Sequence, residues 1–132
     1  MFRRSPPAVL IVDDEPSNRI VAYRVLGGAG YDVTSAGTAS EALFMVEERG
    51  PFDLYVLDVL MPTLRGTELA NRIREIDPDA RVLYFTAFAP GLSHTPAPGL
   101  SEREAVLQKP VSNRELLQAV SMMVFGHERG PG

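Results

Sequence analysis

The sequence predicts a doubly wound α/β domain, a five-stranded parallel sheet with helices on both faces. Three observations carry this reading. Short apolar runs alternate with stretches of helical period, and Gly, Pro, Asp or Asn punctuate the boundaries. The chain has 132 residues, which suits one core of this kind and is too short for two. Parallel strands also need crossover connections, nearly always right-handed, so alternating strands and helices put helices on both sides of the sheet.

Each element has its own signal. Ala8 to Val12 is a continuous, β-branched apolar run stopped by Asp13-Asp14-Glu15-Pro16, as expected of a strand buried on both faces. Pro16 suits the first turn of a helix, and Ala22, Val25, Leu26 and Ala29 follow at helical spacing into Gly27, Gly28 and Gly30. Tyr31 to Ala36 is the second strand. The second helix starts near Thr38, where Thr38 and Glu41 have capping-box spacing; Ala39, Ala42, Leu43 and Val46 form its apolar stripe, and Gly50-Pro51 ends it. Phe52 to Leu57 is the third strand, and Gly66 to Ile76 is a helix with Leu69, Ala70 and Ile73 inward. Arg81 to Phe85 is the fourth strand, after the Asp77-Pro78 turn. Phe88 to Gly99 breaks the rhythm: it holds Pro90, Gly91, Pro96, Pro98 and Gly99 without a helical stripe, so the fourth helix is expected to be short or irregular. Ala105 to Leu107 is the fifth strand. The last helix begins near Ser112, with Glu115 at the capping-box position and Leu116, Ala119, Val120 and Met123 on one face. Met122 and Met123 read as helix packing. Residues 1–132 are expected to form a single domain with its core at about 8–125 and flexible tails.

Composition excludes several classes. An apolar share of 45% and a charged share of 23% are ordinary for globular chains and exclude disorder and fibrous repetition. Thirteen Lys and Arg against seventeen Asp and Glu leave a formal charge of −4, the wrong field for a direct nucleic-acid partner. Zero cysteines remove disulfides, thiolate zinc sites and Cys nucleophiles, and fit a reducing compartment. No apolar run approaches the ~18 to 20 residues that span a bilayer, so a cytoplasmic location without membrane contact is expected.

In doubly wound sheets ligands gather at the carboxyl ends of the strands. The residues there are Asp13 and Asp14, Asp58, Thr86 and Lys109. Three carboxylates at one edge repel one another, and a hard divalent cation such as Mg²⁺ relieves that repulsion. Lys109 and Thr86 are groups suited to holding a phosphoryl oxygen, while an Asp58 oxygen can attack phosphorus to form an aspartyl phosphate. Taken singly, the Asp pair is more often a turn, Thr86 a hydroxyl at the edge of the core and Lys109 a solvated charge; their joint placement at four strand ends supplies the specificity. His94 and His127 have no such neighbours and receive no role.

Leu-Ile-Val-Asp13-Asp14-Glu15, Leu57-Asp58-Val59-Leu60-Met61-Pro62, Thr86-Ala87 and Lys109-Pro110 resemble the receiver domains of two-component response regulators. The resemblance, over about 8–125, implies a flavodoxin-like strand order of 2-1-3-4-5. It implies that a histidine kinase or histidine phosphotransfer protein presents phosphohistidine and that the phosphoryl group passes to Asp58 in a Mg²⁺-dependent reaction. Asp14 and Asp58 would ligate the metal directly, the Leu60 carbonyl would be a third protein ligand, and Asp13 would act mostly through water. The Leu60 and Ala87 amides would steady phosphate oxygens, Lys109 would pair with the phosphate, and Thr86 would swing toward it as the signal. Such a domain is not an enzyme beyond its own phosphorylation and dephosphorylation. Its output partner is unknown, and a homodimer is compatible with the pattern.

Two departures stand out. The family commonly carries Tyr or Phe three residues before the lysine, where this chain has Val106, and the Pro/Gly-rich segment occupies the place of the fourth helix. Leu60 and Phe88, two residues beyond Asp58 and Thr86, are apolar at positions bordering the water path to the phosphoryl group, which predicts slow hydrolysis. A haloacid-dehalogenase-type phosphatase would need a second Asp where Leu60 stands. The remaining alternative is a pseudo-receiver, an interaction module that is not phosphorylated.

Overall fold

In the computed structural model of the chain, residues 6–61, 64–86, 103–108 and 111–126 are described, with Thr86 by its backbone alone. The order is β1 (Ala8–Val12), α1 (Pro16–Gly28), β2 (Asp32–Ala36), α2 (Ala39–Arg49), β3 (Leu54–Asp58), α3 (Gly66–Ile76), β4 (Val82–Thr86), β5 (Glu104–Gln108) and α4 (Asn113–Phe125). The strands form one parallel sheet in the order β2-β1-β3-β4-β5, the doubly wound arrangement expected of the alternating sequence.

Strand alternation sorts the core into two layers. Leu10, Val12, Tyr55, Leu57, Val82 and Tyr84 face α2 and α3, whose Ala42, Val46, Leu69 and Ile73 cover them. Val9, Ile11, Leu54, Val56, Leu83 and Phe85 face α1 and α4, which contribute Ala22, Leu26, Leu116, Val120 and Val124. Each fully buried aliphatic side chain contributes roughly 1.5–3 kcal/mol, so a core without disulfides suffices.

The helix ends follow local chemistry. The Thr38 hydroxyl accepts from the Glu41 amide at 3.1 Å, while the Glu41 carboxylate reaches the Gly37 amide rather than closing the box on Thr38. Ser112 and Glu115 form the full reciprocal box, each bond 3.0 Å long. The hydrogen bonds to the backbone also hold the exposed Glu115 carboxyl below the usual range.

Several expected boundaries shift. α1 ends at Gly28, and Ala29 is its exposed cap rather than part of the buried stripe. β3 starts at Leu54 and takes in Asp58, although Phe52 still packs into the core. β4 and β5 each run one residue beyond the predicted C-terminal end, and β5 starts one residue earlier. Met122 is 70% exposed, against the sequence reading; Met123 does pack against the α1–α4 layer. The expected irregular helix at 88–99 and both tails lie outside the described residues.

Two buried tyrosines brace α3. The Tyr55 hydroxyl donates to Asp77 at 2.8 Å and accepts from the Phe52 amide at 3.1 Å. The Tyr84 hydroxyl donates to Glu104 at 2.9 Å, and Arg74 of α3 meets the same Glu104 oxygen at 3.0 Å. Burial, with these carboxylates, pushes the Tyr84 phenol up to about 12 and Tyr55 well above the tyrosine range. An unfolded tyrosine ionises near 10, so the stability Tyr84 lends is complete below about pH 10 and is lost as pH rises toward about 12. Ultraviolet titration should show three of the four tyrosines ionising late, with Tyr31, raised by its partial burial, ahead of Tyr55 and Tyr84, and Tyr84→Phe should remove one late step and flatten the alkaline fall in melting temperature.

Candidate functional site

The register builds the site. Val12 pairs with Leu57, so the next positions along the two strands, Asp13 and Asp58, stand side by side. Both follow residues that face α2 and α3, so alternation turns them toward α1 and α4. Asp13 and Asp58 are buried, at 5% and 7% exposure, and Asp14 is exposed. One carboxylate oxygen from each of the three acids lies within 4.8 Å of the others.

Backbone amides hold two of these carboxylates in matching turns. Asp13 Oδ1 accepts from the Glu15 amide at 2.9 Å, and Asp58 Oδ1 accepts from the Leu60 amide at 3.1 Å. Charges no more than 4.8 Å apart repel by at least roughly 1 kcal/mol per pair in water and ~3.5 kcal/mol at an effective dielectric of ~20. An all-oxygen donor set of three acids fits a hard cation of the Mg²⁺ or Ca²⁺ type.

Two further residues shape the site, and neither shows a chemical signature in the sequence. Gly66, the first residue of α3, lies so close that a Cβ there would collide with the Asp58 carbonyl, and its amide donates to Val59 at 3.0 Å. Arg19 of α1 donates from Nη1 to the Asp13 carbonyl at 2.7 Å. Beside the acids, between α1 and α4, is a cavity of about 440 Å³ with mostly apolar walls, among them Val21, Val56, Phe85 and Leu116.

The other candidate residues divide. Thr86 ends β4, one position beyond the Phe85 that pairs with Asp58; its side chain lies outside the described residues, as do Lys109, Pro110, Ala87 and Phe88. Leu60 is 49% exposed next to Asp58. Val106 pairs with Tyr84 and packs against the α2–α3 layer, so an aromatic ring stands one strand over from the position where one was missed.

Comparison with known proteins agrees with this architecture. Residues 9–121 match the family model described as "Response regulator receiver domain". The response regulator receiver protein CpdR of Brucella abortus is 33% identical over 117 residues, 89% of this chain and 96% of CpdR. The sensor kinase CckA of the same organism is 32% identical over 117 residues, which is 88% of this chain but 12% of the kinase. The response regulator TrrA of Thermotoga maritima, solved in complex with Mg²⁺ and BeF, superposes with a TM-score of 0.74 at 31% identity, covering 89% of this chain and 98% of TrrA. No helix among the described residues is long and apolar enough to cross a membrane.

The contact at Gly66 makes a direct prediction. Gly66→Ala forces the start of α3 away from the Asp58 carbonyl, and urea unfolding should register a loss of about 1–3 kcal/mol, the usual cost of overpacking.

Proposed function

Since the chain belongs to the receiver domain family of response regulators, we propose that Asp58 accepts a phosphoryl group from a phosphohistidine of a partner protein. The observation that carries the reading is the convergence of Asp13, Asp14 and Asp58 at the strand ends, with carboxylate oxygens within 4.8 Å of one another. An Asp58 oxygen attacks phosphorus in line, the P–N bond to the donor imidazole breaks, and the imidazole leaves with the electron pair and takes up a proton.

The chain's own residues divide the work. Asp13, Asp14 and Asp58, with the Leu60 carbonyl, would hold Mg²⁺, which when bound neutralises charge on the transferring group. The Leu60 amide, already aimed at an Asp58 oxygen, is suited to a phosphoryl oxygen once Asp58 is modified. Lys109 pairs with the phosphate, and Thr86 moves its hydroxyl toward it and passes the change to the surface. The added charge, roughly −1.5 to −2 if an acyl phosphate behaves like other phosphorylated side chains, favours one of two surface arrangements. A sensor kinase or histidine phosphotransfer protein is the proposed donor, supported by the likeness to a segment of CckA. The reaction is turned on the domain itself rather than on a substrate in multiple turnover.

A second reading, a pseudo-receiver that binds partners without being phosphorylated, draws on Val106 in place of the family's aromatic residue. Incubation with Mg²⁺ and acetyl phosphate, followed by intact mass, separates the two. One labile phosphoryl adduct, absent from Asp58→Asn, is the expected result; no adduct on the wild-type chain favours the pseudo-receiver.

The exposed, apolar Leu60 neither orients nor activates water beside Asp58. Leu60→Asn or Leu60→Glu should therefore shorten the phosphorylated lifetime severalfold in a phosphate-release assay, and an unchanged lifetime contradicts that role.

A further inference from the structure

Arg19 is placed to do more than cap a loop. Its Nη1 donates to the Asp13 carbonyl at 2.7 Å, a charge-assisted bond at the root of the acidic segment. On its other side lies Gly37, where a Cβ would stand 2.9 Å from that same Nη1 and 3.4 Å from the guanidinium carbon. Backbone conformation does not call for glycine at 37, because among the described residues Gly30 is the glycine with positive φ. A side chain at 37 would instead push the end of the Arg19 side chain out of this place.

The wall behind the guanidinium is fixed. The Gly37 amide is held by Glu41 Oε1 at 2.6 Å, and the Asp13 amide donates to Ala36 at 3.2 Å. The Asp13 peptide is thus tied to β2 through its N–H and to α1 through its carbonyl. Repulsion among the three acids pushes the Asp13–Asp14 segment outward, and the Arg19 bond opposes that movement.

We infer that Arg19 is a positioning residue: lodged against Gly37, it fixes the Asp13 peptide and keeps Asp13 and Asp14 opposite Asp58 before a cation binds. This rests on the proposed Mg²⁺ role of the cluster. Its sign is distinctive. A positive charge near the site repels Mg²⁺, so deleting Arg19 would tighten binding if charge alone mattered, whereas loss of positioning weakens it.

Calorimetric titration of the full chain with Mg²⁺ tests this on wild type, Arg19→Gln, Arg19→Lys and Gly37→Ala. Arg19→Gln should bind about tenfold more weakly, the lower end for partners that orient metal ligands. Arg19→Lys, a charge without the planar fork, should recover part of the loss. Gly37→Ala should weaken binding in the same direction at unchanged net charge, and in both Arg19→Gln and Gly37→Ala the deficit in acetyl phosphate labelling should shrink as Mg²⁺ is raised. Equal or tighter binding by a folded Arg19→Gln overturns the inference; if circular dichroism shows that variant unfolded, wild-type affinity in Gly37→Ala overturns it. A wild-type chain that takes up no Mg²⁺ overturns the underlying metal reading instead.

Discussion

Two carboxylates, Asp13 and Asp58, are buried side by side at the ends of neighbouring strands, and the work of holding like charges together governs the architecture around them. Each gives one oxygen to the amide two residues on, so part of its charge is spread into the backbone. The remaining strain falls on the segments that carry them. Phe85 receives the Val59 amide at 2.8 Å, Gly66 ties to Val59, and Arg19 and Ala36 clasp the Asp13 peptide from two sides. A loosely packed edge would let the acids part; five strands in strict register do not.

Much of this was readable beforehand. The buried strands announce themselves as uninterrupted apolar runs because both faces are covered, and α3 spans Gly66–Ile76 as its stripe of Leu69, Ala70 and Ile73 predicts. The convergence of Asp13, Asp14 and Asp58 follows from the rule that strand ends share one rim, and one oxygen of each lies within 4.8 Å of the others. Ser112 and Glu115 form the reciprocal cap that their spacing implies.

What escaped was set by partners distant in sequence. The clash that reserves position 66 for glycine involves a carbonyl eight residues back, and the atoms that a side chain at 37 would displace belong to Arg19 of α1. Strand ends moved by a residue or two because hydrogen bonding to a neighbouring strand, not side-chain polarity, decides where a ladder stops: Thr86 and Gln108, both polar, extend β4 and β5 together. Met122 looked like packing because it belongs to an apolar cluster in the sequence, yet a helix turns successive residues through about 100°, which sends it to solvent beside its buried neighbours.

The sheet also acts as a partition. With α2 and α3 on one side and α1 and α4 on the other, the apolar residues among those described form two separate clusters joined by the strand backbones. Substitutions deep in opposite layers should then combine near-independently in their energetic effects, and the surfaces outside those layers are free to diverge at separate rates over evolutionary time. Because the acids turn toward α1 and α4, the outer face of the α2–α3 flank is the one a lineage can refashion for a new associate with least disturbance to the chemistry.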